Sequence, residues 1–393
     1  MYQRFCTFLV VAMWMVATPL FAQQPCLTLP VAIDSNEDRL MLAVNGADNP
    51  QDQLAALDKY AQDHADSRFM PCVNEYYASI NLKLGNFDKS IEYAEKDLAA
   101  NYQDLNLLLN LMRAYVASNK VSDTIFDAID KAPDQIKAEA SPARPPKTSD
   151  ADWEKIQNEA AELAKESRSY AVYAFFQLLQ RVTDGPKRVQ IIDNFAKVYP
   201  EAEKDYASQL NTAYFQAYQL VPGKLDTAVQ YGEKAVAADP NNLAVLNTLG
   251  LIYAFYVANP MVDKAADYAQ KARTLAEGMK KPEGVDDAMF KREQNSQLGM
   301  AHLTLGYAAM VKLAKTKKLD PAIDELKMAG DLLEGNPALQ GQALYYLAYA
   351  YESEFPAKHH AAIEALSKAE TLPGPWQTLS HDLLAKVRAR AKE

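Results

Sequence analysis

At 393 residues, 49% of them hydrophobic, the chain is long enough to bury a sizeable core and to divide into more than one domain. Its 41 Lys plus Arg against 51 Asp plus Glu leave a net charge of −10. Such a surface repels a phosphate backbone and has no general attraction for anionic lipid, so nucleic acid is excluded as the expected partner. In chain order, the amino terminus comes first: MYQRFCTFLVVAMWMVATPLFAQQPC offers Arg4, an apolar run from Phe5 to Leu20, and Ala22 as a cleavage point. This is the three-part form of a secretory signal over 1–22 and predicts export, to the bacterial periplasm or the extracellular space. Leu20, standing where a second small residue is preferred, keeps an uncleaved membrane anchor as the alternative. Gln23, Gln24 and Pro25 before Cys26 argue against lipidation, and no second run reaches the roughly 18–20 apolar residues of a bilayer span.

Residues 23–49 read as an extended amino-terminal segment. Of Cys6, Cys26 and Cys72, the last two remain after cleavage and can pair in an oxidising compartment, pinning that segment to the first helices. The alternative is a merely buried Cys72 and a free Cys26.

From Pro50 onward helical periodicity dominates and alternating β-branched runs are scarce. In YYASINLKLGNFDKSIEYAEKDLAA, Tyr77, Ala78 and Asn81 share one face of a first helix, Gly85 and Asn86 form a turn, and Ser90, Tyr93, Ala94 and Asp97 face back from a second. Small residues at Ala78, Ser90 and Ala94 let two backbones approach, and the aromatic beside them fills the volume between the axes. LNLMRAY, ending at Tyr115, repeats the first-helix spacing. Ala228, Gly232 and Ala235, then Ala265, Ala269 and Ala272, repeat the second-helix pattern. Leu249, Gly250 and Tyr253 form the first helix between them. Two further copies are Leu305, Gly306 and Ala309 with Ala322, Leu326 and Ala329, and Leu347, Ala348 and Tyr351 with Ala362, Leu366 and Ala369.

On these residues the sequence resembles the tetratricopeptide-repeat family, whose 34-residue period separates Tyr77 from Leu111. The match is close over Tyr77–Asn101, Leu210–Pro240 and Leu246–Ala272, and looser over Leu305–Ala329 and Leu347–Ala369, where the turns carry extra residues. The resemblance implies an all-α fold: a right-handed solenoid of antiparallel helical hairpins, about seven of them. Repeats are expected over 50–131 and, with a capping helix, over 151–393. Pro142, Pro145 and Pro146 among serines and threonines mark 132–150 as a proline-rich linker or loop. EGMKKPEGVDD, Glu277–Asp287, is a second interruption. Gly250 is expected where the adjoining second helix comes close, so that Gly250→Leu would overpack.

Chemistry is sparse. His64, His302, His359, His360 and His381 form no His-Glu-x-x-His signature, and no Cys-x-x-Cys pair, nucleophile elbow or phosphate-cradling glycine loop occurs. No catalytic residue, metal or cofactor is therefore expected. The basic clusters KTKK (Lys315–Lys318) and KVRARAK (386–392) read as a solvated inter-helix turn and as a last helical turn suited to the dipole. The 22 tyrosines are more informative, being too many for hairpin cores alone. Tyr170, Tyr173, Phe176, Phe255, Tyr256, Tyr345 and Tyr349 are candidate binding-surface residues, each with inter-helix packing as the competing role. The resemblance supplies a functional class, an exported non-catalytic scaffold or adaptor that binds an unidentified protein or peptide. An envelope structural or assembly component is the alternative, and a carbohydrate-active enzyme would require a deep pocket with paired carboxylates.

Overall fold

The computed structural model describes residues 35–67, 70–100 and 104–391, and every regular element among them is helical. The chain divides into two compact units, Met1–Val182 and Thr183–Glu393. The expected signal over 1–22 and Cys26 lie outside the described residues.

In the first unit α1 (Asn36–Gly46) pairs with α2 (Pro50–Asp63), α3 (Met70–Lys83) with α4 (Phe87–Ala99), and α5 (Leu105–Ser118) with α6 (Asp123–Glu139). The unit closes with the 30-residue α7 (Asp150–Leu179), which packs on α5 and α6. Starts are written in short polar side chains. Ser35 Oγ accepts from the Asp38 amide, Asn49 Oδ1 from Asp52 with Pro50 following, and Asp104 Oδ1 from Leu107. Gly85, at φ 74°, turns the chain between α3 and α4 in a left-handed conformation that a side chain would resist.

Three sequence expectations are corrected here. Residues 36–46, read as extended, are helical because Ser35 caps them and Val44 buries its side chain in the cluster of Leu57, Tyr60, Cys72, Val73 and Tyr77. The linker expected over 132–150 is half helix. Helix α6 runs through Pro133 to Glu139, since burial of Ala132 and Ile136 outweighs a proline cost of about 3 kcal/mol. Only 140–149 lies between helices. Moreover α7, assigned with the carboxy-terminal repeats by 151–393, belongs to the first unit, where Ala171, Val172, Ala174, Phe175, Leu178 and Leu179 are buried.

In the second unit α8 (Gly185–Val198) and the single turn α9 (Ala202–Asp205) precede four helix pairs. These are α10 (Ala207–Gln219) with α11 (Leu225–Ala238), α12 (Leu243–Leu251) with α13 (Val262–Glu277), α14 (Asp287–Leu313) with α15 (Asp320–Leu332), and α16 (Pro337–Ser353) with α17 (His359–Ala369). Helix α18 (Trp376–Arg390) packs on α17 and α16. Alternate helices also touch, α3 on α5 in the first unit and α12 on α14, α14 on α16 in the second, so each hairpin covers an apolar face its neighbour cannot cover alone.

The residues expected to pack the repeats, Tyr77, Ala78, Ser90, Ala94, Leu249, Gly250, Tyr253, Ala265, Ala269, Leu347, Ala348, Tyr351 and Ala362, are all buried. Ser90 Oγ donates to the Ala78 carbonyl at 2.7 Å, a bond that only a short side chain can make at this separation. A bond between hairpins recurs alongside. Tyr77 donates to Asp58, Tyr115 to Glu95, Tyr214 to Asp193 and Tyr253 to Glu233, at 2.6–2.8 Å. Each carboxylate precedes its tyrosine by 19 to 21 residues. Three of these tyrosines stack on another tyrosine of the following helix: Tyr77 on Tyr93, Tyr214 on Tyr231 and Tyr253 on Tyr268.

Candidate functional site

The second unit carries an aromatic groove of about 580 Å³, built where successive first helices and α18 lie side by side. Helix α14 contributes Tyr307, Met310 and Val311, with Ala314 just past its end; α16 contributes Tyr345, Tyr346, Tyr349 and Ser353; α18 contributes Trp376 and Leu379. Helical spacing explains the convergence: Tyr345 and Tyr349 are one turn apart and share a face, and Tyr346 turns toward the preceding hairpin.

The rings form a continuous chain. Phe255 lies 4.4 Å from Tyr307 and 5.3 Å from Tyr346, centroid to centroid, and Tyr307 meets Tyr346 edge-on at 5.0 Å. Trp376 closes the far side at 5.2 Å from Tyr345 and 5.3 Å from Tyr346. These separations fall within the favourable range for aromatic pairs. Phe255 reaches its place from a π-helical turn, Ile252–Tyr256, in which the Val257 amide donates to the Ile252 carbonyl at 3.2 Å.

Burial raises the pKa of Tyr346, and the neighbouring Tyr307, Tyr345 and Tyr256 add to the shift. Burial does the same for Tyr307 and, with Tyr349, for Tyr345. The hydroxyls are therefore neutral donors and acceptors through the ordinary pH range. The lining contains no carboxylate and no cation. A ligand held here meets ring faces, aliphatic side chains and hydroxyls.

Of the seven candidate surface residues, the structure brings Phe255, Tyr256, Tyr345 and Tyr349 to this region, with Phe255 and Tyr256 edge-to-face at 6.4 Å. It places Tyr170, Tyr173 and Phe176 elsewhere, on α7 of the first unit. There Tyr170 lies 5.9 Å from Tyr173 with the Arg113 guanidinium over its ring, and Phe176 packs on the buried Phe175. Sequence reasoning missed Tyr307 and Trp376. Tyr307 directly follows the small residue Gly306 of a first helix, and Trp376 follows the Pro-Gly-Pro that opens α18, so both positions were readable as repeat starts or faces but not as neighbours.

A larger concavity of about 1090 Å³ surrounds the second interruption, lined by Lys280, Lys291, Arg292, Glu293, Asp331 and Glu334 among others. Its charges are mixed and no rings converge there. Among the described residues no group of three or more His, Cys, Asp or Glu side chains could hold a metal ion, and no helix is long and apolar enough to cross a membrane. Cys72, in α3, is disulfide-bonded.

No family model matches the chain, and no curated protein matches it. Among solved structures, it is similar to the carboxy-terminal part of a TPR repeat-containing protein from Cytophaga hutchinsonii, at 18% identity and a TM-score of 0.37, covering 78% of this chain and 98% of that one. It is also similar to yeast Tom70, at 14% identity and a TM-score of 0.29, covering 91% of this chain and 88% of that one. At these scores neither likeness carries an inference about function.

Proposed function

We propose that the chain is an exported, non-catalytic helical-repeat protein of the tetratricopeptide type, whose second unit holds an extended polypeptide segment. The observation that carries this reading is the aromatic groove of α14, α16 and α18. Its rings accept apolar or proline-bearing side chains, its hydroxyls accept or donate to peptide groups, and its neutral lining makes contact area rather than charge the basis of recognition. A right-handed superhelix belongs to the same reading and is supported by the stacked hairpins and by tyrosine–carboxylate bonds that recur at one spacing.

Immobilised arrays of overlapping peptides test the groove. Tyr349→Ala and Trp376→Ala should each weaken the best-bound peptides at least tenfold, as central aromatic anchors do, whereas Tyr173→Ala on α7 should leave them unchanged. Peptide binding indifferent to both groove substitutions sinks the proposal. Export is supported by the signal-like residues 1–22 and by the disulfide at Cys72, since such bonds persist in oxidising compartments. Fractionation by osmotic shock with mass measurement of the mature chain checks it. A chain starting at Gln23 in the released fraction is expected, and one retaining 1–22 in the membrane pellet would favour the anchored alternative.

A further inference from the structure

The turns that join the two helices of successive hairpins in the second unit gather exposed apolar side chains around a lysine cluster. Phe355, after α16, is 84% exposed, the most exposed large hydrophobic side chain among the described residues. Its amide donates to the Lys317 carbonyl at 3.2 Å, which fixes it beside the turn between α14 and α15. That turn presents Lys315, Lys317 and Lys318, all exposed. The preceding turn adds Tyr256 and Met261, 57% and 50% exposed. It is tied to the same edge by Lys312, in the last turn of α14, which pairs with Asp263 at 2.6 Å.

The nearby carboxylates are already engaged. Asp263 is held by Lys312, and Asp320 and Glu354 share Lys358 at 3.3 and 2.5 Å. Among the described residues, Lys315, Lys317 and Lys318 make no ion pair, so the edge is locally positive on a chain of net charge −10. A protruding phenylalanine flanked by unpaired lysines fits a boundary between charged headgroups and acyl chains better than it fits a rigid protein surface.

We infer that this edge docks on an anionic lipid surface, with Phe355 entering the headgroup–acyl boundary and Lys315, Lys317 and Lys318 meeting lipid phosphates. The full chain is sedimented with phosphatidylcholine vesicles containing about one-third phosphatidylglycerol, and with phosphatidylcholine alone. Residues 5–20 are themselves apolar, so the readout is the difference between the parent and edge variants. Replacing the three lysines by glutamine should lower partitioning to the anionic vesicles about a hundredfold, near fivefold per lysine. The parent's excess over that variant should disappear in high salt. Phe355→Ser should lower partitioning about tenfold. In Phe355→Trp the new indole should shift to the blue and be quenched by brominated lipid. All four positions are exposed, so unchanged circular dichroism melting will separate lost docking from lost folding. Equal partitioning of parent and variants, or an unquenched indole at 355, overturns the proposal. So does retention of an acidic polypeptide by the same lysines without any vesicle difference, which would make the edge a protein contact instead.

Discussion

Glu233 looks, in YGEKA, like any acidic residue on a helix surface. In the folded chain it accepts from Tyr253 at 2.7 Å and Tyr268 at 2.5 Å and pairs with Lys264 at 2.8 Å. Burial opposes its ionisation, but the bonds from Lys264, Tyr268 and Tyr253 outweigh burial and lower its pKa. Glu233→Ala should therefore destabilise the protein by about 1–2 kcal/mol, discounted for partial exposure, and lower the urea midpoint more than Tyr253→Phe does. Asp97 behaves oppositely. It is 1% exposed, accepts from Asn74 at 2.8 Å, and is pushed by burial, with some help from Asp104, from 3.8 up to about 7. A folded pKa above the unfolded one means the folded state binds more protons between those values, so stability falls as pH rises from about 4 to about 7 and stays low above it. At about 1.4 kcal/mol per unit the loss reaches up to about 4 kcal/mol. Asp97→Asn keeps an acceptor for Asn74 and should raise the urea midpoint at pH 8 while flattening its decline from pH 5. A residual slope of the same sign is expected from Asp130, raised to about 6 by burial and by Asp127. The spacing put Asp97 on the inward face of its helix but did not give the pKa that its burial produces, and the role of Glu233 was not legible, because its tyrosine partners lie 20 and 35 positions further on.

At the level of the helix and the turn, the pattern of small residues was readable, but how tight each contact is was not. A Cβ added at Gly306 would lie 2.6 Å from Leu326 Cγ and 3.1 Å from the Leu326 amide nitrogen, whereas one at Gly250 would find its nearest atom, the Ala265 carbonyl oxygen, at 3.5 Å. Gly306→Ala should thus lower the denaturation midpoint by an overpacking cost of about 1–3 kcal/mol. Gly250→Ala should be neutral or gain up to about 1 kcal/mol of helix propensity. Gly250→Leu, reaching past that contact into Ala265 and Thr304, should destabilise. A midpoint for Gly306→Ala at or above the parent's would show that Leu326 can move aside. Proline punctuation between the helices was only partly informative, because Pro133 sits inside α6 while Pro142, Pro145 and Pro146 lie outside it. The segment 140–149 is mostly exposed and bonded chiefly to itself, through Arg144 to Thr148 and Asp150 and through Thr148 to Pro145. A broad-specificity protease should cut there before it cuts within α12 or α13, and first fragments from those helices would contradict this.

Across the whole molecule, an all-helical chain of stacked hairpins was foreseeable from residues spaced within a single repeat. The division at Val182 was not, because it depends on which neighbours bury the carboxy-terminal half of α7, a choice that one helix's periodicity does not encode. The aromatic groove was half legible for a similar reason. Tyr345 and Tyr349 announce a helix face, but Phe255, Tyr307 and Trp376 join them only through the stacking of three hairpins and a final helix. The π-helical turn at Ile252–Tyr256 gives this assembly an adjustable part. Such a turn is an α-helix carrying one surplus residue. Deleting a single residue within it would restore ordinary winding, at about 100° per residue, and so change the angle at which the side chains inside the turn leave the helix. Phe255 would then swing off Tyr307 and Tyr346 without any change in the side chains that form the groove. Chain length at this one place, independent of composition, is thus a dial on the shape of the groove. A one-residue deletion there should keep the helical circular dichroism while abolishing the peptide capture proposed for the groove.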